Sequence, residues 1–306
     1  MSNSKSKEQV AGSKVKISFS CFAICYLLFA ICFCSCSSSP GNSGGIFEMR
    51  NAAELQLELG NRQADRGGFD TALVFISEAM RLAVITDDPG LLVRSGISLG
   101  NVQFSLGNAE AAFAIWNRAL EEAALAGNRE LAAVCRVHIA RGKLLSPGGR
   151  DAAQSVRDSV TRDLAQIKSD KQYAAFAWTV IGLAEKELGR YAAAEEAVKR
   201  ALAIHEKARS LELAAYDWFM IASFRSLSGN SLGALKALES AIEFDRRTEN
   251  SWGLANDWQA VGDVQKKAGK HDAARAAYGR AADIFRAIGN SEAAEKALAR
   301  TASSEQ

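Results

Sequence analysis

The sequence predicts an all-α repeat fold, and three observations support this prediction. Long segments are rich in Ala, Leu, Glu and Arg, whereas Pro occurs only 3 times in 306 residues; the first group favours helices and Pro interrupts them. Short breaks with Gly, Asn or Asp return about every 20 residues, and Gly and Asn end helices readily. A small residue also recurs with a period near 40, which indicates paired helices.

The chain begins with a polar segment followed by an apolar one. Residues 1–16 carry four lysines, residues 17–34 are almost wholly apolar, and a stretch rich in Ser and Gly follows. This order is the plan of a secretory signal. The alternative is an uncleaved membrane helix, since about 20 apolar residues span a bilayer.

The end of the apolar segment resembles a bacterial lipoprotein signal. Cys36 follows the small residue Ser35, whereas Cys32 and Cys34 follow large residues. In that family the signal is cut before a cysteine whose thiol then receives a lipid. The resemblance therefore implies cleavage before Cys36 and lipidation of its side chain, which would anchor the protein durably once several acyl chains are attached.

These features divide the chain into three parts. The resemblance implies a signal peptide over residues 1–35, and the Ser/Gly-rich composition predicts a flexible tether over residues 36–46. The repeat domain is expected over residues 47–306. Ser37, next to the proposed lipidated cysteine, implies sorting to an outer membrane.

Six helix pairs are predicted in the repeat domain. A small residue stands at the same phase of each first helix: Gly60, Gly100, Ala140, Gly182, Ala222 and Gly262. Alanine follows twelve residues later in every pair, at Ala72, Ala112, Ala152, Ala194, Ala234 and Ala274. Another small residue stands seven positions further on: Ala79, Ala119, Ser159, Ala201, Ala241 and Ala281. Because Gly inside a helix costs about 1 kcal/mol relative to Ala, we infer that these positions let two helices approach closely.

This pattern is similar to the tetratricopeptide repeat (TPR). The fourth pair carries it as Trp178, Ile181, Gly182, Ala194, Val198 and Ala201. Trp218 and Trp258 take the tryptophan position in the next two pairs, and we expect all three tryptophans to be buried. The resemblance implies a right-handed α-solenoid. Its period of about 40 residues is similar to the longer variety of kinesin light chains and bacterial peptide-sensing regulators.

The last segment is expected to close the stack. It starts at Ser291 and carries Glu, Lys and Arg among alanines. The ends of a solenoid need such a polar outer face. The predicted fold is therefore all-α: a right-handed solenoid of six TPR-like helix pairs plus a C-terminal capping helix.

Charge and residue types exclude several function classes. Beyond residue 36, 33 basic residues face 34 acidic ones without a Lys/Arg run, so no nucleic-acid partner is expected. The three histidines, His138, His205 and His271, lie in different pairs, and Cys135 is the one cysteine beyond residue 36. No metal site, cofactor, catalytic residue or small-molecule substrate is predicted, and we expect a protein that is not an enzyme.

A partner-binding groove is the remaining candidate site. In the TPR family the first helix of each pair lines the concave side of the superhelix and holds peptides or partner proteins. By repeat phase, the resemblance assigns this groove to Arg94, Asn101, Phe104, Arg141, Phe176, Leu183, Tyr216 and Phe219. Apolar residues on a face that meets water indicate a partner.

Fold and anchor together predict a membrane-anchored scaffold or assembly factor of the bacterial cell envelope, with the outer membrane as the favoured location. A surface-displayed binding protein of the adhesin type is the alternative from another class. A single-pass protein with an uncleaved N-terminal helix is the alternative for the anchor.

Overall fold

The computed structural model describes residues 44–302, and this part of the chain consists of thirteen helices without a strand. Their bounds are α1 Gly44–Asp65, α2 Phe69–Ile85, α3 Pro89–Ser105, α4 Ala109–Leu125, α5 Arg129–Leu145, α6 Gly149–Leu164, α7 Lys171–Glu187, α8 Tyr191–Ala208, α9 Leu211–Leu227, α10 Ser231–Arg247, α11 Ser251–Lys267, α12 His271–Ala287 and α13 Ser291–Ala302. Consecutive helices pack against each other throughout. The predicted solenoid of six pairs and a final helix is confirmed.

Helix α1 begins earlier than the sequence boundaries suggest. It starts at Gly44, inside the tether predicted over residues 36–46. The predictions for the signal peptide, the rest of the tether and Cys36 concern residues 1–43, which lie outside the described residues.

The predicted breaks are turns that reverse the chain between helices. Eight of them place a glycine at positive φ: Gly67, Gly107, Gly127, Gly148, Gly189, Gly229, Gly269 and Gly289. Glycine adopts this left-handed conformation without steric cost. Asn128 and Asn290 then cap the next helices by accepting hydrogen bonds from Leu131 N (3.0 Å) and Ala293 N (2.9 Å). The local sequence therefore fixes both the end of one helix and the start of the next.

The recurring small residues let the two helices of a pair pack closely. A Cβ atom on Gly60 would lie 2.6 Å from Cγ1 of Ile76, and one on Gly182 would lie 2.6 Å from Cγ2 of Val198. These distances are far below van der Waals contact, so any larger residue would force the helices apart. The close approach inferred from the sequence is confirmed at these positions.

The third pair departs from the common register. The sequence pattern assigns the packing positions of α6 to Ala152 and Ser159, but both are only half-buried. Ala153 and Val160 are fully buried instead. The departure follows the tight turn before α6, where a Cβ atom on Gly149 would overlap the backbone of Leu144. The prediction is therefore wrong by one residue in this helix.

The three periodic tryptophans are half-buried, which corrects the expectation that they are core residues. Trp178 packs against the main core with one edge, and the guanidinium of Arg200 lies 4.5 Å from the centre of its ring. Arg280 covers Trp258 in the same way at 4.6 Å. A cation over an indole face is favourable even near solvent. These arginines therefore shield faces that the helices leave open.

Helix α13 closes the end of the stack, as predicted. Ala294 and Ala297 are buried against the last helix pair in a cluster that includes Phe285. On the outer side, Lys296 and Glu292 form an exposed ion pair at 2.6 Å. One apolar face and one charged face are what a terminal solenoid element requires.

Candidate partner-binding surface

The eight predicted groove residues lie on the first helices α3, α5, α7 and α9. The first helices α3, α5 and α7 contact each other in turn, and α9 contacts α11. Between α7 and α9, Nε2 of Gln172 donates to Oγ of Ser210, which directly precedes α9. Tyr216 is the most exposed of the eight, with 42% of its surface open to solvent. Six others are half-buried: Arg94, Asn101, Phe104, Arg141, Phe176 and Phe219. We call these seven residues the concave surface.

Leu183 is the exception among the predicted residues. It is only 6% exposed and belongs to the main hydrophobic core. Its neighbour Thr179, one turn earlier on α7, is also buried and donates a hydrogen bond to Ala175 O at 3.2 Å. This part of α7 packs against neighbouring helices, so the Leu183 side chain stabilises the fold and is left out of the concave surface.

Arg94 is held by an acidic residue of the preceding pair. Its guanidinium forms two hydrogen bonds with the carboxylate of Glu54 on α1, one of them 2.8 Å from Nη1 to Oε2. Fork-shaped pairing of this kind fixes both side chains. The Arg94 side chain is therefore fixed in place, and the Glu54 carboxylate balances its positive charge.

Two side-chain contacts connect the first helices α3, α5 and α7 through Asn101, His138 and Phe176. Oδ1 of Asn101 lies 2.9 Å from Nδ1 of His138, and the imidazole stacks on the Phe176 ring with centres 4.1 Å apart. Burial, together with the charge of Arg141, lowers the pKa of His138 to about 3. The imidazole is therefore neutral at physiological pH, and its Nδ1–H donates to Asn101.

Sequence reasoning missed that His138 and Tyr173 lie next to this surface, because neither was selected by repeat phase. His138 is itself buried, at 6% exposure, and supports Phe176 by stacking on its ring. Burial raises the pKa of the Tyr173 phenol to about 12, while the nearby charge of Arg94 partly opposes this shift. An aromatic residue near an arginine 79 positions away has no local sequence signal. Contacts between first helices of different pairs position both residues.

Phe104 has a partly structural role. Its ring lies 5.7 Å from that of Trp116 and 6.5 Å from that of Phe113, and Trp116 is fully buried. Such tilted and edge-to-face arrangements are favourable for aromatic rings. Phe104 thus joins the concave surface to the core of the second pair.

Tyr216 and Phe219 form the aromatic part of the surface that is most open to solvent. They lie three residues apart on α9, and their rings stack with centres 6.4 Å apart and planes 16° apart. Residues at this spacing share one face of a helix. The stacked pair therefore offers a broad, preorganised apolar contact.

The described residues contain no cluster of three or more His, Cys, Asp or Glu side chains arranged to hold a metal ion. Cys135 is fully buried, and burial raises the pKa of its thiol to about 12, so it is not a reactive nucleophile. Among the same residues, no helix has the combined length and hydropathy needed to cross a membrane.

Comparison with known proteins supports the fold. Residues 177–207 match the family profile described as tetratricopeptide repeat. A comparison with the sequences of curated proteins finds no match.

Three solved structures are similar over most of this chain. A Rap protein complexed with competence and sporulation factor is 16% identical, with a TM-score of 0.56 over 83% of this chain and 74% of that chain. BtubC (BKLC) from P. vanneervenii is 18% identical, with a TM-score of 0.53 over 78% and 92%. A chain of the APC/C hetero-tetramer Cut9-Hcn1 is 14% identical, with a TM-score of 0.54 over 85% and 46%. The chain therefore has the fold of TPR-type helical repeat proteins.

Proposed function

We propose that this protein is a non-catalytic scaffold whose concave surface binds a segment of a partner protein. The observation that carries this proposal is the stacked pair of Tyr216 and Phe219, because Tyr216 is 42% exposed although its ring is apolar. Exposed aromatic residues on a rigid helix supply much of the binding energy at protein interfaces.

Polar residues elsewhere on the concave surface support the same function. Arg94 is oriented by Glu54, and Asn101 is oriented by His138, so both are held in place before a partner arrives. Preorganised side chains lose little conformational entropy on binding. The similar Rap structure also contains a bound factor. A helical-repeat solenoid of this type typically serves as an interaction scaffold rather than as an enzyme.

The repeats fit the longer variety of TPR. The first and second helices of the fourth pair are 17 and 18 residues long, and most small residues of the first helices stand 40 positions apart. Longer helices bury more apolar surface between neighbours. On this basis we assign the chain to the kinesin-light-chain-like class of repeats.

The scaffold is anchored to the bacterial cell envelope through a lipid on Cys36. This part of the proposal rests on the sequence: a charged start, an apolar stretch over residues 17–34 and the Ser35–Cys36 step. Residues 1–35 form the signal, residues 36–43 the tether before α1, and the outer membrane is the favoured location.

Intact mass spectrometry tests the anchor. The mature protein from membranes is expected to begin at Cys36 and to carry added acyl mass, and the Cys36→Ala variant is expected to lack this species. A chain that keeps its N-terminal residues would show instead that the apolar segment is an uncleaved anchor. Protease treatment of intact cells then separates a protected envelope scaffold from a surface-displayed binder.

Matched variants test the concave surface. A photo-crosslinking residue in place of Tyr216 is expected to capture the partner, whereas the same residue in place of Leu232, 82% exposed on a second helix, is not. The purified partner is then expected to bind the double variant Tyr216→Ser/Phe219→Ser at least about tenfold more weakly. If the partner binds this variant and the unaltered protein with equal affinity, the proposal is wrong. Leu232→Ser is the control and should bind normally.

A further inference from the structure

The first helix pair contacts the far end of the solenoid. In the turn after α1, the guanidinium of Arg66 donates to Oε1 of Glu212 at the start of α9, with Nη2 at 2.9 Å and Nε at 3.3 Å. Nη2 also donates to the carbonyl of Thr248 at 3.1 Å. These contacts join positions 146 and 182 residues apart, so the superhelix completes a turn and meets itself.

The neighbouring Gly67 completes this contact, which we call the closure. Its φ of +77° is accessible to glycine, and a Cβ atom there would lie 2.9 Å from Cδ2 of the Trp252 indole at the start of α11. The backbone of the turn therefore rests directly on the tryptophan. Closure depends on the Arg-Gly sequence of this turn, because another residue at position 67 would be both strained and too large.

The closure is a weak contact by its geometry. The side chains of Arg66 and Glu212 remain 38% and 22% exposed, and a cavity of about 290 Å³ lies between the turn and the helix ends. Partly exposed ion pairs contribute little to stability. A contact of this strength can open without unfolding the helices on either side.

The closure also lies next to the aromatic part of the concave surface. Glu212 and Tyr216 are four residues apart on α9, and Phe219 follows three residues later, so all three share one face of the helix. The turn that holds Glu212 therefore lies at the end of the stripe on which Tyr216 is exposed. A partner that extends along this stripe by one more helical turn would meet Arg66.

We propose that the closure gates the Glu212 end of the concave surface: with Arg66 on Glu212, a large partner seated on Tyr216 cannot extend further along α9, and opening of the closure gives it access. This inference rests on the proposed function, since the gate matters only if a partner uses that surface. Partner binding and closure then exclude each other, and the apparent affinity depends on the fraction of open molecules.

Size-dependent labelling tests the gate without a known partner. A cysteine in place of Tyr216 is labelled on the full-length membrane-extracted protein with N-ethylmaleimide or with a maleimide carrying a long polyethylene glycol chain. The label is followed by mass spectrometry on the peptide that contains position 216. Arg66→Glu is expected to raise the labelling rate with the bulky maleimide by about fivefold or more. The labelling rate with N-ethylmaleimide should change little.

A charge swap and a distant site supply the controls. Arg66→Glu combined with Glu212→Arg restores an ion pair and should return the bulky rate towards that of the unaltered protein. A cysteine in place of Leu232 should react equally in all backgrounds. An unchanged bulky rate in Arg66→Glu overturns the gate, as does equal acceleration at positions 216 and 232. If Tyr216→Ser/Phe219→Ser keeps its partner, the proposed function fails while this labelling result still stands.

Discussion

Nδ1 of His205 lies 2.6 Å from Oδ2 of Asp217, and both side chains are buried, at 4% and 0% exposure. The pair joins α8 of one helix pair to α9 of the next. Forty residues later, Asp245 and Asp257 take the same two positions between α10 and α11 and are also buried. The same two positions of the repeat therefore hold a His–Asp pair in one repeat and an Asp–Asp pair in the next.

Removing one member of the first pair should cost more than removing both. His205→Leu leaves the Asp217 carboxyl buried without its imidazole partner, and we expect a loss of about 3 kcal/mol in the free energy of unfolding. His205→Leu/Asp217→Leu replaces the pair with apolar groups and should recover much of this loss. Urea unfolding followed by circular dichroism measures both. Losses that simply add in the double variant would show that the two side chains do not interact.

The second pair predicts a dependence of stability on pH. Burial and the nearby Asp245 carboxyl raise the pKa of Asp257 from 3.8 to about 9, and burial raises that of Asp245 to about 6. At a pH between 3.8 and these raised values, Asp245 and Asp257 keep their protons in the folded protein, whereas the unfolded chain has released them. This contribution to stability is therefore complete below about pH 4 and is lost as the pH rises towards 9.

Asp257→Asn tests this dependence, because an amide keeps the donor of the protonated acid without titrating. The variant should be more stable than the unaltered protein at pH 8 by about 1–3 kcal/mol, and the advantage should shrink towards pH 4. Thermal unfolding at several pH values measures the difference. Glu239→Gln, at an exposed carboxylate on the neighbouring helix α10, is the control for general charge effects. An advantage of constant size at every pH would contradict the assignment.

The sequence predicts most of the fold because each signal that it uses is local. Turn glycines, cap residues and small packing residues act within one helix pair, and the 40-residue period repeats them. The register of α6 is predicted wrongly because the Pro147–Gly148 turn shifts Ala153 into the place expected for Ala152. The alanine twelve residues after the small residue of the first helix is thus fully buried in five pairs but not in the irregular third pair.

The concave surface is predicted less well because contacts between distant repeats decide it. Repeat phase places Phe176 and Tyr216 correctly on first helices, but it also selects Leu183, whose burial depends on neighbouring helices. The buried His138 of another pair supports the surface by stacking on Phe176. The contact of Arg66 with Glu212 spans 146 residues and has no local signal. Tertiary geometry sets these relationships.

Two glycine substitutions should change stability in opposite directions. Gly100→Ala would place a Cβ atom 2.5 Å from Cδ1 of the fully buried Trp116, whose Nε1 donates to Ile97 O at 3.2 Å. Overpacking of this kind should cost about 2 kcal/mol. Gly279→Ala meets no atom within 4 Å and should gain up to about 1 kcal/mol from helix propensity. Chemical unfolding measures both, and a stabilised Gly100→Ala protein would refute the close-approach role of Gly100.

The end of α8 offers a site where glycine should stabilise the fold. Arg209 has a φ of +57°, and its turn is closed by hydrogen bonds from Arg209 N to Glu206 O (3.1 Å) and from Ser210 N to His205 O (2.9 Å). This is the arrangement in which glycine is preferred after a helix. Arg209→Gly removes the steric cost of the left-handed backbone but adds entropy to the unfolded chain. We expect a net gain of about 0.5 kcal/mol, read as a small rise in the thermal midpoint. Gly189→Ala, at a φ of +73° in an equivalent turn, should lower the midpoint instead. If both variants shift it in the same direction, backbone conformation does not control the stability of these turns.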